Sequence, residues 1–83
     1  MAEHRKAERH RTLKGALIAF SEHSATIDCL VRNISATGAC LKVVSPLGIP
    51  DTFDLVLVAD HSTHRCRVVW RKPTQIGVEF RQH

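Results

Sequence analysis

The sequence is poor in aromatic residues and in cysteine. It contains no tyrosine, one tryptophan and three phenylalanines among 83 residues. Small barrels that bind single-stranded nucleic acids usually expose several aromatic side chains on one sheet face, so this shortage counts against such a function. The three cysteines, Cys29, Cys40 and Cys66, are an odd number and are widely spaced. We therefore expect small buried apolar side chains at these positions and no disulfide framework.

Long apolar runs and catalytic motifs are also missing. No segment approaches the ~18 consecutive apolar residues of a membrane span, and the N-terminus has no apolar signal-peptide region. These absences predict a cytoplasmic protein. The sequence has no P-loop, no Gly-x-Ser-x-Gly and no paired carboxylates, so it predicts neither enzymatic activity nor a cofactor. His61, His64 and Cys66 do not match a zinc spacing, and we interpret them as turn histidines beside a buried cysteine.

Positive charge is concentrated at the N-terminus. Residues 1–14 contain two acidic residues and five basic ones, which are Arg5, Lys6, Arg9, Arg11 and Lys14. This segment therefore supplies three of the four net positive charges of the chain. Such asymmetry favours an anionic partner, although a solvated basic tail is the alternative. The segment has no apolar stripe to anchor a helix. We predict a flexible basic ligand-binding arm at residues 1–11 and a folded domain at residues 12–83.

Apolar and polar residues alternate in six short segments separated by turn residues, a pattern typical of antiparallel β-structure. The predicted strands are residues 13–20, 26–34, 39–44, 53–58, 65–71 and 75–80. Six strands at this spacing predict an all-β domain, either a small antiparallel barrel or a sandwich, and a barrel leaves no exposed edges. Trp70 is expected to face the core with Cys66 and Val68, while Arg65, Arg67 and Arg71 face outward. At a barrel end, Trp70 would instead flank a bound base.

Two short motifs carry the candidate site: Arg5-x-x-x-Arg9 in the arm, and Asn33-x-Ser35-x-x-Gly38 after the second strand. A hairpin of the first two strands places residues 11 and 12 opposite residues 33 and 34. The basic arm and the polar turn then share one rim of the domain.

The residue types in these motifs suit a phosphorylated guanine ligand. An arginine donates two parallel hydrogen bonds to a phosphate or to O6 and N7 of guanine, and it also stacks on bases. Asn33 offers a donor and an acceptor, and Ser35 offers a hydroxyl. Gly38 allows a close backbone approach or a positive φ. An ordinary strand-to-strand turn is the alternative interpretation of residues 33–38.

The paired motifs, with 23 residues between Arg9 and Asn33, resemble the signature of PilZ domains. Residues 68–71 and 76–80 also resemble the final strands of that family. The resemblance implies a six-stranded β-barrel that binds the bacterial second messenger cyclic di-GMP, often as a stacked dimer. It implies that Arg5 and Arg9 hold phosphate and guanine, that Asn33 and Ser35 contact guanine, and that Gly38 provides the tight turn. Weaker expected contacts come from Lys6, Arg11 and Trp70.

The function that follows from this resemblance is a signalling module that passes the cyclic di-GMP signal to a partner protein. Two other functions stay open at this point. One is a PilZ-like adaptor that works by protein contact without nucleotide, and the other is a small basic barrel that binds single-stranded nucleic acid.

Overall fold

Six β-strands make up most of residues 10–81, the part of the chain that the computed structural model describes. They are β1 (His10–Phe20), β2 (Ala25–Ile34), β3 (Gly38–Lys42), β4 (Thr52–Leu57), β5 (Thr63–Lys72) and β6 (Gln75–Phe80). Within residues 10–81 no helix is long and apolar enough to cross a membrane. Of the predicted arm, residues 1–9 lie outside the described residues.

The strands close into a barrel in the order β1-β2-β3-β6-β5-β4, and every neighbouring pair is antiparallel. Pairing of β1 with β4 closes the ring. Closure satisfies the backbone hydrogen bonds of strands that would otherwise form exposed edges. The prediction of an all-β, six-stranded antiparallel barrel is confirmed.

The core is filled by the inward residues of alternate positions on each strand. Fully buried side chains come from every strand, and they are Ile18, Val31, Leu41, Phe53, Leu55, Cys66 and Ile76. Burial raises the pKa of the Cys29 and Cys66 thiols to about 12, so both stay neutral and unreactive at physiological pH. The expectation of buried cysteines holds for these two, whereas Cys40 is only partly buried.

Strand β1 starts at His10, three residues before the predicted start at residue 13. The hydrogen bonds between β1 and β2 continue on the N-terminal side of Leu13, the first apolar residue of the strand. They are made by backbone groups, which can pair whatever side chain the residue carries. Residues 33 and 34 do meet the start of β1, as predicted, but Asn33 pairs with Arg11 and Ile34 with His10, one residue earlier than expected, because the register shifts between Arg11 and Lys14.

Strand β3 is shorter than the predicted segment of residues 39–44. It begins at Gly38 and ends at Lys42. Val43 lies beyond the strand, and its N–H donates to the carbonyl of Thr74 in the β5–β6 turn (2.9 Å). A loop of residues 43–51 then leads to β4.

Candidate functional site

An open groove of about 530 Å³ crosses the outer face of β2, β3, β6 and β5. Its lining includes three residues predicted from the motif, Asn33, Ser35 and Gly38, together with Trp70, Gly77 and Glu79. The groove therefore unites the second motif with a tryptophan that is 37 residues away from Asn33 in the sequence.

A row of directly paired residues forms the floor of this groove. Asn33 pairs with Cys40, Cys40 pairs with Gly77, and Gly77 pairs with Trp70. Residues directly opposite each other in antiparallel strands place their side chains on the same face. On the other side of Asn33 the next residue in the register is Arg11. The row thus runs from β5 to the start of β1, where the basic arm joins the barrel.

The turn between β2 and β3 is closed by Ser35 and Gly38. The Ser35 N–H donates to the Gly38 carbonyl at 2.8 Å. The Ser35 hydroxyl accepts a hydrogen bond from the Thr37 N–H at 3.3 Å. These bonds are local and the side chain is exposed, so the turn is held in shape while the hydroxyl stays accessible from the groove.

Gly38 is needed for the close approach of β3 to β6. A Cβ at this position would lie less than 3.0 Å from the Val78 carbonyl oxygen, a separation that real Cβ atoms essentially never show. Its φ does not fall in the left-handed region, which among the described glycines is adopted only by Gly48. Of the two roles expected for Gly38, the structure shows the close approach.

Trp70 does not face the core, contrary to the prediction. The register between β5 and β6 shifts between Val68 and Trp70, so Val69 is an extra residue and the inside–outside alternation is reset. Trp70 consequently turns outward and is 39% exposed, with its indole against Gly77. The Lys72 Nζ lies 5.3 Å from the ring centroid, a cation–π contact that helps to hold the ring in place.

The same bulge changes the register position of Arg71, which stays exposed, as predicted. Arg71 pairs with the inward residue Ile76. Its guanidinium donates to the carbonyls of Pro46 (3.3 Å) and Ile49 (2.9 Å) and to the carboxylate of Asp51 (2.9 Å). Arg71 therefore fastens the β3–β4 loop to the end of β5 that carries Trp70.

Sequence reasoning missed several residues of the groove, among them Cys40 and Glu79. Cys40 occupies the floor between Asn33 and Gly77. Glu79 lines the groove and accepts a hydrogen bond from Arg67 Nε at 2.8 Å. Cys40 enters the site through the β2–β3 hairpin, whereas Glu79 meets the Asn33–Gly38 turn through pairing of β3 with β6, which no local sequence signal indicates.

Not every residue considered in the sequence can be placed in the groove. Arg5, Lys6 and Arg9 lie outside the described residues. His64 stacks on Phe80 with ring centroids 4.8 Å apart and is within 3.2 Å of the Ser62 hydroxyl. In residues 10–81, no three His, Cys, Asp or Glu side chains are grouped so that they could hold a metal ion.

Comparison with known proteins agrees with this geometry. The family model described as PilZ domain matches residues 3–83. The fold is similar to the crystal structure of the PilZ domain of CeSA from a cellulose-synthesizing bacterium, with a TM-score of 0.70 and 14% sequence identity. The alignment covers 93% of this chain and 83% of that one. No curated protein matches the sequence.

Proposed function

The chain belongs to the PilZ domain family, and from this premise we propose that it is a receptor for cyclic di-GMP. The family match spans residues 3–83, so it includes both the arginine motif and the Asn33–Gly38 motif. The protein would act in the bacterial cytoplasm as a binding module without a catalytic step.

The observation that carries the proposal is the groove itself. Asn33 and Ser35 line it on one side and Trp70 on the other, so hydrogen-bonding groups and an aromatic face meet in one open site. Purine nucleotides require both, since the base edge needs polar partners and the base face favours stacking.

The attachment of the arm supports the same ligand. Arg9 directly precedes His10, which pairs with Ile34 beside the groove. A chain spans at most about 3.6 Å per residue, so Arg5 is within about 18 Å of His10. We propose that Arg5 and Arg9 close over the bound dinucleotide and donate to its phosphates and to guanine O6 and N7. Lys6 and Arg11 would add weaker contacts.

The output would follow from a change of surface. A ligand can shift a protein only toward states that it binds better. An arm ordered over the groove presents a different surface from the free barrel, and we propose that a downstream protein recognises that difference.

Binding of single-stranded nucleic acid is less well supported. Within the described part of the chain, Trp70 is the aromatic residue with a largely exposed ring, while Phe53 is fully buried and Phe20 and Phe80 pack against the core. A strand of bases needs several such rings in succession. The single ring of Trp70 beside the Asn33–Gly38 turn can stack on one base, as a dinucleotide ligand requires.

Calorimetric titration tests the proposal directly. Cyclic di-GMP, GTP and a short single-stranded oligonucleotide are titrated into the same protein preparation at one salt concentration. We expect heat of binding and saturation with cyclic di-GMP alone. Preferred binding of the oligonucleotide would point to the nucleic-acid function, and an absence of binding to all three would favour the adaptor.

A further inference from the structure

The groove contains a carboxylate to which the proposed contacts give no role. Glu79 on β6 lines the groove together with Asn33 and Trp70. Its side chain is 42% exposed. The residue opposite it on β3 is Gly38, so no side chain at that position separates the carboxylate from the Asn33–Gly38 turn.

Arginines hold one oxygen of this carboxylate and leave the other for a ligand. Arg67 Nε donates to Glu79 Oε2 at 2.8 Å, and Arg81 Nη1 lies 3.8 Å from the same oxygen. Among the described side chains and backbone groups, none donates a hydrogen bond to Oε1. The two guanidinium groups also offset the negative charge, so that Glu79 can lie beside an anionic dinucleotide at a reduced electrostatic cost.

The position of Glu79 relative to the tryptophan is equally specific. Glu79 and Gly77 are two residues apart on β6 and therefore project to the same face, about 7 Å apart along the strand. The Trp70 indole lies against Gly77. A base stacked on the indole would thus have the carboxylate of Glu79 at its edge.

We infer that Glu79 determines base specificity by accepting hydrogen bonds from the Watson–Crick edge of a bound guanine. This inference rests on the proposed function and extends it. Guanine presents two adjacent donors on that edge, N1–H and the N2 amino group, and an ionised carboxylate is an acceptor-only group with two oxygens. The arginine contacts proposed above use O6 and N7 on the adjoining Hoogsteen edge, so they leave the N1–H and N2 donors free for Glu79.

Adenine would be rejected at the same position. Its N1 is an unprotonated acceptor and it lacks the 2-amino group, so a carboxylate would face a lone pair. An acceptor in a binding site discriminates strongly against a ligand that lacks the matching donor, because the acceptor is then left without a hydrogen bond. The carboxylate of Glu79 would in this way complement the arginines, which recognise the O6 and N7 acceptors of guanine.

A double cycle of protein and ligand changes tests this contact. Cyclic di-GMP and cyclic di-IMP, in which each guanine lacks only the 2-amino group, are titrated against the unchanged protein and against Glu79→Gln. The unchanged protein should bind cyclic di-GMP about tenfold or more tightly than cyclic di-IMP. Glu79→Gln should lose about tenfold or more in affinity for cyclic di-GMP and should largely lose the preference between the two ligands.

Two further variants separate this contact from general effects. Asp60→Asn removes one negative charge from the exposed β4–β5 turn, away from the groove lining, and should keep the full preference for cyclic di-GMP. Glu79→Asp keeps the charge beside Arg67 but shortens the side chain, and it should also lose the preference. It serves as the second test of the contact if Glu79→Gln lowers the melting temperature.

The possible results separate the proposed function from the role of Glu79. If the unchanged protein binds neither dinucleotide, the proposed function fails and this inference fails with it. If it binds cyclic di-GMP but Glu79→Gln and Glu79→Asp weaken both ligands by the same factor, or change neither, the proposed function stands and Glu79 is no specificity determinant.

Discussion

Trp70 occupies the space that a side chain at Gly77 would need. A Cβ on residue 77 would lie less than 3.0 Å from Cε2, Nε1 and Cζ2 of the indole. Glycine at this position therefore lets the ring lie close against β6, and the exposed ring face becomes part of the groove. The geometry of the stacking surface thus depends on a residue that has no side chain.

Substitution Gly77→Ala should displace this ring. Trp70 is the only tryptophan of the chain, so its fluorescence reports the change directly. We expect emission at longer wavelength, because the indole moves into water, and weaker binding of cyclic di-GMP. Gly15→Ala is the matched control: it is an outward glycine of β1 whose added Cβ would meet only Val58 at 4.0 Å. An unchanged spectrum in Gly77→Ala would contradict the proposed role of residue 77.

Much of this fold follows from the alternation of apolar residues. Inward positions such as Phe53, Leu55 and Ile76 are evident from the sequence, because each follows a polar residue in an alternating segment, and each is buried as the pattern requires. The closed order of strands was not evident, since pairing of β3 with β6 joins segments that are distant in sequence. Glu79 and Gly77 meet the second motif only through that pairing.

The prediction that Trp70 faces the core was wrong for a different reason. Val68, Val69 and Trp70 form a continuous apolar run, so alternation alone cannot show where a bulge resets the pattern. The better signal was the two-residue turn at Pro73 and Thr74. Counting backward from it pairs Lys72 with Gln75 and Trp70 with Gly77, as the structure does. A register counted from a tight turn is more reliable here than a pattern of apolar residues.

Discrimination between cyclic dinucleotides tests the arginine contacts. Adenine has an amino donor where guanine has the O6 acceptor, so Arg5 or Arg9 would face a donor with a donor. Cyclic di-GMP should therefore bind well ahead of cyclic di-AMP in parallel calorimetric titrations. Comparable affinities would show that neither arginine contacts the guanine edge.

The arm should become ordered when the ligand binds. The arm was predicted at residues 1–11, and because β1 begins at His10, we now predict that residues 1–9 are flexible in the free protein and become ordered in the complex, at the expense of part of the binding free energy. Backbone NMR relaxation at Arg5 and Arg9, measured with and without cyclic di-GMP, checks this. Thr37, in the turn of the second motif, provides a reference amide within the barrel. Equally rigid arginines in the free protein would argue against an arm that folds on binding.

The ion-pair cluster at Asp54 predicts an acid-dependent loss of stability. The hydrogen bond from His23 (2.8 Å), followed by that from Arg65 (3.2 Å), lowers the pKa of the Asp54 carboxyl in the folded protein. A depressed folded-state pKa stabilises the protein above the pKa of the unfolded chain, and this contribution is lost as pH falls through the folded value. Asp54→Asn should therefore lower the melting temperature at pH 7 and cost progressively less below pH ~4.

Asp28→Asn provides the charge-matched control for Asp54. Asp28 is exposed on β2 and forms no ion pair with another described residue. Its substitution should change the melting temperature little at any pH. If Asp54→Asn shows the same small change at pH 7, the cluster contributes nothing measurable, as many exposed ion pairs do.

The last prediction separates ligand contacts from fold contacts. Arg5→Ala and Arg9→Ala remove charge-assisted hydrogen bonds that form only in the complex. Each should cost about 1.5–3 kcal/mol of binding free energy, which is about ten- to more than a hundredfold in affinity. Both residues precede β1, which begins at His10, so the melting temperature of the free protein should hardly change.

Val68→Ala should have the reverse effect. Val68 lies opposite Val78 and packs against the core, so the loss of two methyl groups from a partly buried side chain should cost about 1 kcal/mol of unfolding free energy. In a domain of this size that is a large share of the total stability. The groove should keep its contacts, so cyclic di-GMP should bind normally.

The double variant of Arg5 and Arg9 should stay folded and stop binding. If it unfolds, the arm is part of the core, and if it binds with unchanged affinity, the ligand site lies elsewhere on the barrel.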